Sequence, residues 1–332
     1  MQLLRDLSAT QFTSGATLAT KYGVSRSAVS DALKEASQLG IDVTSRTRIG
    51  YRLETPLDFL DVDGTDGVSA ALRSDVNRIH LSIFDTVDST NSALLQQAQL
   101  GAASGTCIAA ELQTAGRGRR GRLWQSALGA SLTFSLLWRC DKGASTLGGL
   151  SLVIGLAVAD ALHELGVAAT LKWPNDILVA GKKIGGILIE TQGDMLGPTV
   201  VVIGIGLNVT LSEKLKASID QPVTDIASAV KAQHSNVKHQ EKYMMSRSVL
   251  LGTVLRHILG LIAPFNETGF APLRARWRKL HAYESMLVDV TSAAGQYAAT
   301  IVDVADDGAL IIDRGHGKTR ISAGEISVRV RT

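Results

Sequence analysis

The stretch Ala115-Gly116-Arg117-Gly118-Arg119-Arg120-Gly121-Arg122-Leu123-Trp124 sets four arginines within six positions and separates them with glycines. Glycine lets the backbone reach left-handed conformations, so main-chain amides can turn toward an anion while guanidinium forks close on it. An Arg/Gly run also fits a solvated segment or a sequence-tolerant nucleic-acid contact. The flanks argue for an ordered loop. Residues 106–111 and 131–138 are apolar and strand-like, which places the run between two strands of a globular core and favours a nucleotide phosphate as its guest.

Outward from the loop, 332 residues leave room for two or three domains, and 45% hydrophobic residues is ordinary for a protein with a sizeable core. The formal charge of +3 is too small for a global basic field, so any polyanion contact must be local. Cys107 and Cys140 are the only cysteines. No leader with a basic start and a small-residue cleavage site is recognisable, so a cytoplasmic protein without disulfides is expected. Neither cysteine has a Cys or His neighbour at metal-ligand spacing, and no protein-held metal is expected. The apolar stretch 147–162 is interrupted by Asp160, runs into His163 and Glu164, and is shorter than the roughly 20 residues of a membrane span. It reads as a buried helix, with no membrane role.

Toward the N-terminus, Leu18, Ala19, Tyr22, Val24, Ala28, Val29 and Leu33 are spaced for two helices that meet at Gly23, a helix-turn-helix pattern. Ser25 stands where an N-cap belongs, ahead of a second helix over about 26–37. Residues 41–53 alternate around a turn and form a wing with Arg46 and Arg48 near its tip. Ser25, Arg26, Ser27, Ser30, Arg46 and Arg48 are the candidate DNA contacts. Residues 1–60 hold seven Lys/Arg and six Asp/Glu, a net of +1. That predicts weak binding by one copy and doubled contacts in a dimer. An interaction module with no DNA role is the alternative. Residues 55–75, with Pro56, Gly64, Gly67 and aspartates at 58, 61, 63 and 66, read as a connector. The expected domains are 1–60, a linker over 61–78, 79–272 and 273–332.

In the central region a strand over 79–84 runs into Asp88-Ser89-Thr90-Asn91, ahead of a helical pattern over 92–100. These small polar side chains can cap the helix, and they also suit an uncharged urea or amide head group. Lys172-Trp173-Pro174-Asn175-Asp176 precedes a hairpin turn at Ala180-Gly181. Lys183 follows, solvent-exposed by its position in a turn, yet just before Gly185 and Gly186, where a ligand can approach the backbone. Residues 200–209 form a buried strand with Gly204, Gly206 and a terminal Asn208. No Ser-His-Asp set, paired carboxylates or activated cysteine emerges, which leaves positioning and electrostatics. Arginines and lysines around a phosphate suit attack of a bound carboxylate on an α-phosphate. Near the C-terminus, alternating segments at 286–290, 297–304, 309–313 and 326–330 with a turn at 306–308 predict a small β-barrel.

Asp88 to Asn91, Gln113 to Arg122, Lys172 to Asp176, Lys183 with Gly185-Gly186-Ile187, and Gly204 to Asn208 together resemble the biotin protein ligase family. With the helix-turn-helix in front, the chain resembles the bifunctional bacterial form that is also a biotin operon repressor, over essentially its whole length. The resemblance implies an α+β protein: a winged helix-turn-helix, a mixed α/β catalytic domain of the biotin/lipoate ligase type, and an SH3-like domain closed by the strand at 324–327. It implies that biotin and MgATP give biotinyl-5′-AMP and pyrophosphate, and that a lysine of the biotin carboxyl carrier protein of acetyl-CoA carboxylase takes the biotin. By resemblance Ser89, Thr90, Asn91 and Gln113 hold the biotin ring, Arg117, Gly118 and Arg119 order over biotin, and Lys183 meets its carboxylate. Arg119, Arg120, Trp124, Asn175, Lys183 and Asn208 meet ATP or the adenylate, with Arg119 and Lys183 as the catalytic pair. Operator DNA and a homodimer promoted by biotinyl-5′-AMP complete the implied partners. One departure is Asp31, where the family's recognition helix often has a basic residue. It can face the interior or read a cytosine amino group. A lipoate-type ligase and a regulator that only senses biotin remain as alternatives; the arginine loop and the N-terminal reader argue against the first, the loop and Lys183 against the second.

Overall fold

Capping serines and a left-handed glycine build the N-terminal unit. The computed structural model describes residues 1–233, 245–292, 295–315, 317–322 and 327–330. Helix α1 (Gln2–Arg5) precedes α2 (Gly15–Tyr22) and α3 (Arg26–Gln38). Ser14 accepts from the Ala16 amide and Ser25 from the Ala28 amide, so each helix begins on an oxygen that satisfies an orphan donor. Gly23 turns the chain between them at φ 63°. Strands β1 (Val43–Arg46) and β2 (Gly50–Leu53) pair antiparallel as the wing. Leu18, Val29, Leu33 and Leu53 form the core of this unit. Asp31 does not face the interior: its side chain is 68% exposed and pairs with Lys34 at 3.1 Å.

The connector is structured. Leu60, Val68 and Leu72 enter the main core. Helix α4 (Val68–Leu72) crosses the long helix Arg247–Thr268 at Gly252, where a Cβ would lie 2.5 Å from the Val68 carbonyl oxygen.

Among the described residues the central sheet has seven strands: β3 (His80–Val87), β4 (Thr106–Gln113), β5 (Ser131–Cys140), β6 (Thr170–Lys172), β7 (Asp176–Val179), β8 (Lys182–Gly193) and β9 (Thr199–Asn208), in the order β3-β4-β5-β9-β8-β7-β6. Only β3 and β4 run parallel, joined by the crossover helix α5 (Thr90–Gln99). Alternation sends neighbouring residues to opposite faces: Cys107 and Ala109 face the main core, whereas Ile108 lies under α5; Val201 and Ile203 differ from Val202 in the same way. Helix α6 (Leu150–Glu164) is the buried helix expected near residue 150, entered through Gly149 at φ 79°. Helices α7 (Glu213–Ser218) and α8 (Ile226–Gln233) follow β9, and α9 is Arg247–Thr268. Long and apolar enough to cross a membrane (mean hydropathy 1.6), α9 has 61% of that stretch buried against the rest of the protein.

After α10 (Arg274–Leu280) come β10 (Leu287–Ser292), β11 (Gly295–Val304), β12 (Leu310–Asp313), β13 (Lys318–Ile321) and β14 (Ser327–Val330). They form an antiparallel sheet in the order β13-β12-β11-β10-β14. The expected turn at 306–308 joins β11 to β12. Strand β13 was not expected, because Lys-Thr-Arg-Ile has one apolar residue and no alternation to read. The described pairings leave β13 and β14 at opposite edges, so they show an antiparallel sheet and not a closed barrel. Residues 324–326 of the expected closing strand lie outside the described residues.

Candidate active site

Strand ends and one loop converge on a cavity above β8 and β9. Its uncharged end is built at the β3–α5 junction. Ser89 caps α5 through the Ser92 amide, and Ser89, Thr90 and Asn91 are all buried. Gln113, at the end of β4, accepts from the Thr90 amide at 2.7 Å and faces its hydroxyl at 3.1 Å. Ser135 on β5 is fully buried, with its hydroxyl 2.7 Å from Thr90 Oγ1 and 2.5 Å from Asn91 Oδ1. Gly204 makes room for this group: a Cβ there would stand 2.1 Å from Asn91 Oδ1.

The cationic end comes from the β6–β7 turn and β8. Lys183 Nζ lies 2.6 Å from Asp176 Oδ1 and Lys172 Nζ 3.3 Å from Asp176 Oδ2, with all three side chains mostly buried. Burial alone would raise the Asp176 carboxyl, but the two ammonium groups outweigh it and hold it below its ordinary value. Asn175 donates to the Ile187 carbonyl at 2.8 Å, and its oxygen accepts from Arg119 at 3.2 Å. Burial lowers the pKa of the Arg119 guanidinium, against the opposing pull of Asp176.

The arginine loop closes over the opening as a small hairpin. Gly118 donates to the Arg122 carbonyl at 2.7 Å and Trp124 to the Gly116 carbonyl at 2.9 Å. Arg120 at φ 59° and Gly121 at φ 70° turn the tip. Trp124 lies against Gly206, where a Cβ would be 2.4 Å from its Cε2, and Lys183 Nζ stands 5.9 Å from the indole ring. The indole N–H of Trp124 is buried with no hydrogen-bond partner among the described residues. Past Trp124 and Lys183 a second cleft of about 330 Å³ continues toward Asn208 and Gln221. Among the described residues no three His, Cys, Asp or Glu side chains group to hold a metal ion.

Residues 83–208 match the model of the biotin/lipoate A/B protein ligase family, residues 1–52 an HTH domain and residues 288–329 the biotin protein ligase C terminal domain. The chain is 30% identical to the bifunctional ligase/repressor BirA of Escherichia coli, over 99% of this chain and 97% of that protein. It is 29% identical to the protein of the same name from Salmonella typhimurium, with the same coverage of both chains. The chain belongs to the BirA family of biotin protein ligases. Among solved structures, the biotin protein ligase from Aquifex aeolicus in complex with biotin and ATP superposes with a TM-score of 0.60 at 28% identity, covering 76% of this chain and 99% of that one.

This BirA-family cavity is lined by Ser89, Thr90, Asn91, Gln113, Arg117, Gly118, Arg119, Arg120, Trp124, Asn175 and Lys183, candidates that the sequence alone had scattered over nearly a hundred positions. Asn208 does not join them. It is buried in the adjoining cleft, and its amide donates to the Thr224 carbonyl at 3.2 Å. Of the DNA candidates, Arg26, Ser27, Arg46 and Arg48 are exposed, with Arg46 stacked over Phe12 at 5.1 Å, while Ser25 Oγ is 2.7 Å from Ser27 Oγ as it caps α3 and Ser30 is half-buried. Sequence reasoning missed Asp176 as a partner of Lys183, and it missed Ser135. A signal for the latter exists, since Ser131, Thr133 and Ser135 alternate along the otherwise apolar stretch 131–138 and are all buried.

Proposed function

We propose that this cavity condenses biotin with ATP to biotinyl-5′-AMP and pyrophosphate, after which a lysine of a biotin carboxyl carrier protein takes the biotinyl group. The chain is a biotin protein ligase with the helix-turn-helix of a repressor. The observation that carries the reading is the meeting, in one cavity, of a neutral hydrogen-bonding end and a cationic end. Ser89, Thr90, Asn91 and Gln113 offer the donors and acceptors that a ureido ring needs. Arg119 and Lys183 face the position where acid and nucleotide would meet.

Attack of the biotin carboxylate forms an O–P bond at the α-phosphorus as the bond to pyrophosphate breaks. Charge that builds on the phosphoryl oxygens falls to Lys183 and Arg119, and Asp176 holds the Lys183 ammonium in place. ATP would enter as its magnesium complex, and the metal would supply charge neutralisation for the pyrophosphate that leaves. Trp124, with an unpaired indole N–H and a glycine floor beside it, suits the adenylate together with Arg120, Asn175 and Asn208. The arginine hairpin then excludes water from the mixed anhydride.

The reading extends to a cytoplasmic protein that dimerises when biotinyl-5′-AMP is bound and so presents two reading helices to operator DNA. Leu123 on the hairpin, 77% exposed, is an apolar group available for that association. It also extends to a C-terminal sheet curled as an SH3-like barrel, supported by the register shift between Ile301 and Asp303 in β11. The test is pyrophosphate release from MgATP with biotin, with lipoate and with no acid, followed by addition of a carrier-protein fragment. Release with biotin alone and labelling of the carrier is expected. Release with lipoate would move the protein to the lipoate-type ligases, and biotin binding without release would make it a sensor.

A further inference from the structure

Glu190, on β8, is outside the cavity lining but joins its two halves. Its Oε2 accepts from Asn91 Nδ2 at 2.8 Å, and its Oε1 lies 2.7 Å from Arg117 Nη2. Arg117 also donates to Ser92 Oγ at 3.3 Å. Asn91 is an amide whose two ends differ only in donor and acceptor character, so its orientation is set by its partners. The carboxylate accepts only, which turns Nδ2 toward Glu190 and leaves Oδ1 to accept from Ser135. The Ser135 hydroxyl also faces Thr90 Oγ1 as a donor at 2.7 Å, and the Thr90 hydroxyl donates on to Gln113 Oε1 at 3.1 Å.

We infer that Glu190 is a positioning residue for the neutral end of the site: it fixes the donor and acceptor ends of Asn91, so that Oδ1 faces the Ser135 hydroxyl, and it anchors Arg117 at the base of the hairpin. Arg117 is thus a closing strut over the head group, and the phosphate is left to Arg119 and Lys183. The inference rests on the proposed biotin activation and names what sets its selectivity for the acid.

The experiment is biotin-dependent exchange of pyrophosphate into ATP by the full chain and by Glu190→Gln, Arg117→Gln and the double variant, each with its melting temperature. Glutamine keeps the shape of Glu190 but can donate as well as accept, which leaves the more distant Leu188 carbonyl, 3.4 Å from Nδ2, as the acceptor-only partner that orients Asn91. Loss of one charge-assisted hydrogen bond corresponds to roughly a tenfold weakening or more. Each single variant is therefore expected to raise KM for biotin about tenfold, with KM for ATP and kcat within about twofold. The double variant is expected to show less than the product of the two single effects. Unchanged KM for biotin in Glu190→Gln overturns the inference, as does an equal rise for biotin and ATP that follows a lower melting temperature. If Glu190→Gln does not fold, Arg117→Gln decides alone, because Arg117 is 46% exposed on the hairpin. A rise in KM for ATP there would mean that Arg117 serves the phosphate. No biotin-dependent exchange by the unaltered chain overturns both this inference and the proposed function, whereas normal exchange with unaffected variants removes the inference alone.

Discussion

Gly204 and Arg119 show two ways in which single residues define the site. An added methyl at Gly204 would meet Asn91 Oδ1 at 2.1 Å, and Asn91 is buried, so the polar chain beneath the cavity must shift. Gly204→Ala is expected to weaken biotin binding about tenfold or more by calorimetry, the scale of overpacking in a filled interior. Arg119 reaches Asn175 from the hairpin and contributes nothing to the buried cores. Arg119→Ala is expected to speed dissociation of biotinyl-5′-AMP by roughly ten- to a hundredfold with an unchanged melting temperature; an unchanged dissociation rate would remove it from the site. The arginines, Lys183 and the Ser-Thr-Asn run were legible in the sequence because their chemistry is local. Ser135 was not, because it meets Thr90 and Asn91 from a strand more than 40 residues away; the pairing of Asp176 with Lys183 was not, because the β7–β8 hairpin that joins them carries a register shift after Ile177 that alternation does not reveal.

At the scale of elements, boundaries followed the periodicity where packing and propensity agree. The cap at Ser25, the turn at Gly23, the Ala180-Gly181 hairpin and the buried helix near residue 150 were readable for that reason. Strand β13 is exposed at Lys318, Thr319 and Arg320, so pairing with β12 alone makes it a strand. The junction after α10 supplies an acid-sensitive element. His281 lies against Trp277 with ring centroids 4.6 Å apart; burial pushes its pKa down to about 4, against the weaker opposing effect of Glu284. The unfolded chain, with an ordinary value near 6.5, therefore binds more protons between these limits. Stability from this group is present above about pH 6.5 and is lost as pH falls toward 4. Denaturant titrations at pH 7 and 5 are expected to show a loss of up to about 2 kcal/mol from this residue, absent in His281→Phe.

Across the whole molecule, one buried carboxylate ties reader to catalyst. Glu111 on β4, two positions before Gln113, accepts from the Leu60 amide at 2.8 Å, lies 3.3 Å from Arg5 Nη2, and pairs with the fully buried Arg247. Glu111→Ala would remove the nearer countercharge of Arg247 and leave it the Asp58 carboxylate at 3.8 Å, and is expected to cost about 3 to 5 kcal/mol by denaturant titration. DNA binding by a dimer is expected to be weak and moderately salt-dependent. Three exposed arginines per copy, Arg26, Arg46 and Arg48, predict a slope of log K against log salt of roughly −5; a slope near zero would deny the N-terminal unit a phosphate-contacting role.

The same carboxylate bears on how the ligase could be obtained without its reader. The two units share more than a tether: Leu128 of the central region is buried in the N-terminal core, and Asp58 meets Arg247 through both its carboxylate and its carbonyl. A chain shortened to begin at residue 61 would discard Asp58 and the Leu60 amide and leave the buried Arg247 guanidinium, of its described partners, only Glu111 and the Ser131 carbonyl. One shortened to begin at residue 55 would keep both. A monofunctional enzyme derived from this protein would therefore inherit a short N-terminal arm as part of its catalytic body, and swapping readers between such proteins would succeed or fail at that seam.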